Sequence, residues 1–233
     1  MTYQLFSEGA TAIQRERVTS SVSVGESGLS RQSFGKSVFD RVFAALALVC
    51  LSPIFLIVAL MLAVAESGPV FFAHDRVGRN GRIFKCLKFR TMVPNADQRL
   101  KEALERDPAL RAEWAATQKL ANDPRITRLG RFLRKTSLDE LPQFWNVLVG
   151  DMSVVGPRPV TEAELCHYGG EAMHYLSVRP GITGAWQTSG RSELCYQERV
   201  ELDVKYVKTM SFFGDMKIVL KTVVVVLAQT GAH

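Results

Sequence analysis

Between Arg134 and Pro142 the chain reads RKTSLDELP, with two adjacent carboxylates, Asp139 and Glu140, behind a run of cations. A carboxylate beside cations stays ionised at neutral pH. It can cap a helix, bind a hard cation or attack phosphorus. Ser137 and Glu140 have the spacing of a capping box. Pro142 opposes that frame, because with Ser137 as N-cap it would fall inside the helix and delete a hydrogen bond. With Asp139 as N-cap, Pro142 falls within the first turn, where its missing N–H costs little. The spacing therefore predicts a helix over 140–149 that begins at Asp139. Leu141, Phe144, Trp145 and Leu148 would then share one apolar face. On spacing alone, capping and chemistry both stay open for Asp139.

Other cations could serve a phosphate. Lys88 and Arg90 end a predicted strand and fall on one face by alternation. That pair suits a pyrophosphate or an exposed strand face equally. Arg158 is set between Pro157 and Pro159, and Arg179 precedes Pro180-Gly181. Proline fixes the backbone around such a side chain and lowers the entropy cost of presenting it. Either arginine could instead mark a tight turn. Arg125, Arg128, Arg131 and Arg134 recur every three residues, a basic stripe suited to solvent or anionic headgroups. The four cysteines form no CxxC, and no HExxH, P-loop, GxGxxG or nucleophile elbow is present. Zinc chemistry, ATP and dinucleotide binding, and serine hydrolysis therefore lack their motifs.

Elements must bring these residues together. Val70–Ala73 and Gly81–Phe89 read as strands joined by a Gly78-Arg79-Asn80-Gly81 turn. Residues 96–120 read as helix broken at Asp107-Pro108, and 125–135 as a basic helix. Residues 153–190 read as a Gly- and Pro-rich loop zone. A last helical region covers 195–229, with a break at Gly214. Residues 1–35, rich in Ser, Gly, Thr and Gln, read as a flexible tail.

Val42–Ala65 is a run of 24 residues without a charge. At ~1.5 Å per residue a helix of that length reaches the ~30 Å of a hydrocarbon core. It is too long, and too far from the start, for a signal peptide. Ser52-Pro53 sits mid-run. Proline frees a carbonyl and bends the helix, and the Ser52 hydroxyl is at hand to satisfy it. Both flanks are basic, so the positive-inside rule puts both in the cytoplasm. Those facts favour a re-entrant helix over 36–68, bent at Ser52-Pro53, rather than a span. The expected fold is α+β and mainly helical: the re-entrant helix, a small β-hairpin, and a domain at the membrane surface over 69–233. The net charge of +6 favours a phosphate-bearing partner. Nucleic acid is not expected, since no reading helix or aromatic platform accompanies the charge.

Several blocks in fixed order carry a family resemblance: KSVFDR, the LSP bend, RVGRNG, FKCLKFRTM, NDPRITRLGRFLRKTSLDELPQFWNVLVGDMS, VGPRP and RPGITGAWQTSGR. The chain resembles the bacterial sugar transferases, the polyprenyl-phosphate hexose-1-phosphate transferases also called monotopic phosphoglycosyl transferases. Within them it is most similar to the galactose-transferring branch of succinoglycan-type exopolysaccharide synthesis. The resemblance implies transfer of a sugar 1-phosphate from a UDP-sugar to undecaprenyl phosphate with release of UMP. It implies Asp139 as nucleophile, Glu140 with Asp139 as Mg²⁺ ligands, and Lys88, Arg90, Arg134, Arg158 and Arg179 as phosphate contacts. It further implies the bacterial inner membrane, with its lipids as partners and the catalytic domain facing the cytoplasm. The sugar, galactose or glucose, and homo-oligomerisation are left open. His74, Ala185 and Met210 depart from the family's commonest residues, away from the acidic pair.

Overall fold

The structure, a computed structural model, describes residues 33–117, 120–190 and 194–228. The expected tail over 1–35 lies outside them except for its last three residues. Helix α1 (Phe34–Ala65) opens the described chain, its first turn capped by Ser33, which accepts the Lys36 N–H. It runs through Pro53 as one helix. Pro53 has no N–H for the Val49 carbonyl, and the Ser52 hydroxyl donates to that oxygen at 2.7 Å. The expected rescue of the freed carbonyl is therefore present. Only Asp40, Ala44, Val58 and Leu62 of α1 are buried, while Leu46, Val49, Leu56, Ile57, Leu60 and Val64 stand exposed. A soluble core helix would bury those residues. By length and composition α1 is able to cross a membrane.

Strands β1 (Phe71–Val77) and β2 (Ile83–Phe89) form the expected antiparallel hairpin, with Phe71 opposite Phe89 and Val77 opposite Ile83. Asn80 and Gly81 take positive φ in the connection, which explains the Asn-Gly pair there. Helices α2 (Ala96–Arg106) and α3 (Pro108–Thr117) are divided at Asp107 as the Asp-Pro signal predicts. Helix α4 (Arg128–Lys135) is followed by a 3₁₀ turn (Leu138–Glu140) and α5 (Gln143–Val149).

The zone over 153–190 is not a plain loop. It holds β3 (Ser153–Val155), α6 (Glu162–Leu165), α7 (Ala172–Leu176) and β4 (Gly181–Thr183). These pieces are too short to show a period in sequence. β3 and β4 pair in parallel, Ser153 with Gly181 and Val155 with Thr183. Helices α8 (Tyr196–Thr209) and α9 (Phe212–Leu227) close the described chain. Their break falls at Met210-Ser211, not at the expected Gly214. Ser211 caps α9 by accepting the Gly214 N–H, so Gly214 lies inside the first turn.

Three apolar clusters hold these elements. One joins Ala44 of α1, Phe84 of β2, Val147 of α5, Val155 of β3 and Val207 of α8. A second joins Val77 of β1 to Tyr175 of α7 and to Val200 and Val204 of α8. The third packs Val58 and Leu62 of α1 on Phe89 of β2 and Leu133 of α4. Leu62 and Leu133 are fully buried, each worth about 1.5–3 kcal/mol. The apolar helix is thus bolted to the domain at both ends, with its other faces bare. The expectation of a mainly helical α+β fold with one long apolar helix and a small hairpin holds.

Candidate active site

The acidic pair is placed by a sequence of local constraints. The chain leaving β2 runs under α4, where Gly130 lies directly against the Thr91 carbonyl with no room for a Cβ. Thr127 donates its N–H to Thr91 O at 3.1 Å, and Arg134 Nε donates to Thr91 Oγ1 at 2.9 Å. Past α4, Ser137 adopts the left-handed conformation (φ 57°, ψ 15°) and turns the chain back. That conformation costs a non-glycine residue roughly 1 kcal/mol. Neither sequence frame for capping is realised. Ser137 makes no side-chain cap, and Asp139 lies within the 3₁₀ turn rather than at a helix N-cap. Pro142 takes the N-cap place of α5, where its missing N–H deprives no carbonyl of a partner.

The expected face of α5 holds in part: Phe144 and Leu148 pack against the cluster of Ala44 and Val147, and Leu141 against that of Leu62, whereas Trp145 is exposed. Gln143 and Asn146 are buried as well. Asn146 is buried because its side of α5 meets the backbone of β2. Asn146 Oδ1 accepts the Leu87 N–H at 3.0 Å, and its Nδ2 donates to Lys85 O at 2.8 Å. One carboxamide therefore satisfies two strand groups and fixes the distance from β2 to the acidic turn. Sequence reasoning passed over Asn146. A polar residue inside the apolar pattern of α5 was the available signal.

The result is a close triad of charges. Lys88 Nζ of β2 donates to Glu140 Oε1 at 2.6 Å and lies 3.9 Å from Asp139 Oδ2. Asp139 is 7% exposed. Burial pushes its carboxyl up to about 6, opposed by Lys88 and Arg134 and assisted by the Glu140 charge. Beside the pair opens a pocket lined by Arg76, Cys86, Lys88, Glu140, Gln143 and Arg158, among others. Burial pushes the Cys86 thiol up, away from a reactive thiolate.

Arg158 reaches this pocket on a rigid loop. Gly156 fits against the backbone of Arg179 and Gly181, its N–H donating to Thr183 O at 2.9 Å. Gly181 N–H returns a bond to Pro157 O at 2.8 Å. The Val160 N–H donates to the Tyr175 hydroxyl, which itself donates to Val77 O at 2.6 Å. The Arg158 guanidinium lies 5.9 Å over the Trp186 ring, shared with Arg199 at 4.9 Å. Aromatic stacking of this kind holds an arginine in place while leaving its N–H edge free to donate.

Two of the expected phosphate contacts, Arg90 and Arg179, do not line that pocket, and the buried Arg90 guanidinium has no hydrogen-bond partner among the described residues. Arg90 packs against Gly68, 3.7 Å from Glu66 at the end of α1. Arg179 donates to Ser37 Oγ at 2.8 Å and to Asp40 Oδ2 at 3.4 Å. Asp40 is fully buried and also accepts the Ser153 hydroxyl at 2.8 Å and the Val154 N–H at 3.2 Å. Beside it, Lys36 donates to Asp215 at 2.6 Å. Arg179 therefore belongs to a polar clamp that ties the start of α1 to β3. Lys88, Glu140 and Arg158 share the pocket, and Arg134 is among the charges acting on Asp139.

A buried carboxylate and a half-buried one facing a lysine, beside a pocket rimmed by arginines, suit a polyanion such as a diphosphate. Comparison with known proteins agrees. Residues 31–229 match the bacterial sugar transferase family. A "UDP-galactose-lipid carrier transferase" of Erwinia amylovora is 52% identical over 200 residues, 86% of this chain and 42% of that protein. An "exopolysaccharide production protein ExoY" of Sinorhizobium fredii is 48% identical over 206 residues, 88% of this chain and 89% of that one. An "undecaprenyl-phosphate galactose phosphotransferase" of Salmonella typhimurium is 48% identical over 210 residues, covering 89% and 44%. The chain thus spans less than half of two of these relatives and most of the third. It belongs to the bacterial sugar transferase family.

Proposed function

We propose that this chain transfers galactose 1-phosphate from UDP-galactose to undecaprenyl phosphate, releasing UMP, as a membrane step of exopolysaccharide synthesis. The observation that carries the reading is the buried Asp139 and the adjacent Glu140, both facing Lys88, with Glu140 and Lys88 lining an arginine-rimmed pocket. The names of the Erwinia and Salmonella relatives support galactose. The exposed apolar helix α1 supports a lipid-borne acceptor.

Two displacements account for the residues present. An Asp139 oxygen attacks the phosphorus that bears the sugar, the bond to the nucleotide phosphate breaks, and UMP leaves with that electron pair. An oxygen of undecaprenyl phosphate then attacks the same phosphorus and the Asp139 carboxylate departs. Splitting one transfer into two lets a water-soluble donor and a lipid acceptor use one site in turn. Lys88 and Arg158 offset the charge on the diphosphate, without which a carboxylate could not approach. Glu140 holds Lys88 against the nucleophile.

Mg²⁺ fits this site as Asp139 and Glu140 ligands. Lys88 Nζ already shows that both carboxylates face a single cation. Among the described residues no three His, Cys, Asp or Glu side chains converge. Mg²⁺ takes one or two carboxylates and fills its shell with water and substrate phosphate, so Asp139 and Glu140 would suffice as its protein ligands. When bound it would neutralise phosphoryl charge.

The membrane arrangement we propose is re-entrant, with the domain on the cytoplasmic side of the inner membrane. It rests on Pro53, the Ser52 hydrogen bond and the two basic flanks. Cysteines placed at Gly35 and Asn80 should both resist a membrane-impermeant thiol reagent in intact cells. Labelling of only one of them would mean a true span.

The function itself is tested by UMP release from a panel of UDP-sugars with undecaprenyl phosphate and Mg²⁺. UDP-galactose should turn over at least about tenfold faster than UDP-glucose, the size of effect one hydroxyl contact gives. Preference for UDP-glucose would reassign the sugar. No release from any donor would leave a membrane adaptor without chemistry.

A further inference from the structure

Resting on that reading of the reaction, we infer that Gln143 is a substrate contact, its carboxamide donating to a phosphoryl oxygen of the sugar-bearing phosphate. Gln143 is 2% exposed, yet its side chain lines the pocket with Lys88, Glu140 and Arg158. No group among the described residues pairs with its carboxamide. Its amide is not among the described side-chain atoms sealed from solvent without a partner, so it opens onto the pocket, where a ligand can take the place of water. Asn146, one turn later on the same helix, shows the contrast, with both ends of its amide engaged by β2.

The chemistry of the wall explains why the residue is neutral. Gln143 follows Glu140 by three residues, and both side chains line the pocket. A third cation there would compete for Asp139 and Glu140, which Lys88 already faces. A carboxylate there would repel the diphosphate and raise the Asp139 pKa further. A carboxamide donates an N–H without doing either. The attacked phosphorus must come to roughly 3–3.5 Å from an Asp139 oxygen, which brings the phosphoryl group to the acidic turn that leads into Gln143.

The test compares Gln143→Leu, which keeps volume and removes the donor, with Gln143→Glu, which keeps shape and adds charge. In each, UMP release and single-turnover loading of the protein are followed with UDP-galactose and with UDP-glucose. Both variants should lose about 10- to 100-fold in kcat/KM, the usual effect of removing a hydrogen bond to a charged group. Gln143→Glu should lose more. The loss should be equal for the two sugars, because the phosphate is common to them. In wild type, the ¹⁵N-labelled side-chain amide of Gln143 should shift downfield on adding UDP-galactose, a readout that needs no variant to fold. Wild-type turnover with Gln143→Leu within twofold of it would overturn this inference alone. A loss confined to one sugar would overturn it in favour of a hydroxyl contact. Absence of UMP release by wild type with every donor would overturn the reaction and this inference together.

Discussion

Asp139→Asn stops transfer: turnover falls by about 10⁴-fold or more, the scale seen when a covalent nucleophile is removed, while the protein stays folded. The amide is nearly isosteric and keeps the volume that Asp139 fills beside Lys88. It removes the negative oxygen that must attack phosphorus. Stability should change little or rise, because ionising Asp139 in this site is itself unfavourable, as its carboxyl at about 6 shows. The same shift predicts the pH profile. Attack needs the carboxylate, so kcat/KM should be level above about pH 6 and fall tenfold per unit below it. An unperturbed aspartate would hold its rate down to about pH 4. An Asn variant within tenfold of wild type would remove Asp139 from the chemistry, whereas a flat profile from pH 5 to 8 would show that a cation in the working site holds its carboxyl ionised.

Asp40→Ala is expected to have the largest effect on stability. Asp40 is fully buried and receives the Ser153 hydroxyl, the Val154 N–H and the Arg179 guanidinium. Removing one partner of a buried charge pair costs about 3–5 kcal/mol, because the other charge is left in low dielectric. At this chain size that lowers the thermal midpoint by about 10 °C. The clamp joins α1 to β3, and β3 leads into the loop that carries Arg158. Loss of Asp40 should therefore loosen the membrane helix and lower activity together. A midpoint within 2 °C of wild type in detergent or nanodiscs, by a thermal scan, would show that the clamp bears no load.

What could be read from the sequence follows from how local the controlling physics was. The uncharged run of α1, the Asn80-Gly81 turn and the Asp107-Pro108 break are local signals, and each element stands where it was expected. The acidic pair and Lys88 were recognisable as residue types, and the structure brings them within salt-bridge distance. The left-handed Ser137 was hidden, since serine carries no such preference. The apolar face of α5 was legible for Leu141, Phe144 and Leu148, which meet apolar clusters, and periodicity finds faces of that kind. Gln143 and Asn146 were not, because they meet a polar pocket and a strand backbone. The contact of Arg179 with Asp40 could not be read, because the two lie 139 residues apart in sequence. A clue existed, for Asp40 is the one acid between Glu26 and Glu66, set at the mouth of an apolar helix.

The central claim is a covalent bond between Asp139 and the sugar-bearing phosphate. It is tested most directly by incubating the purified protein with UDP-galactose labelled on the β-phosphorus, without undecaprenyl phosphate, and mapping the label by mass spectrometry. The account predicts one equivalent of label on Asp139 and one equivalent of UMP released. Full turnover on adding the lipid acceptor, with no label on the protein at any time, would contradict it.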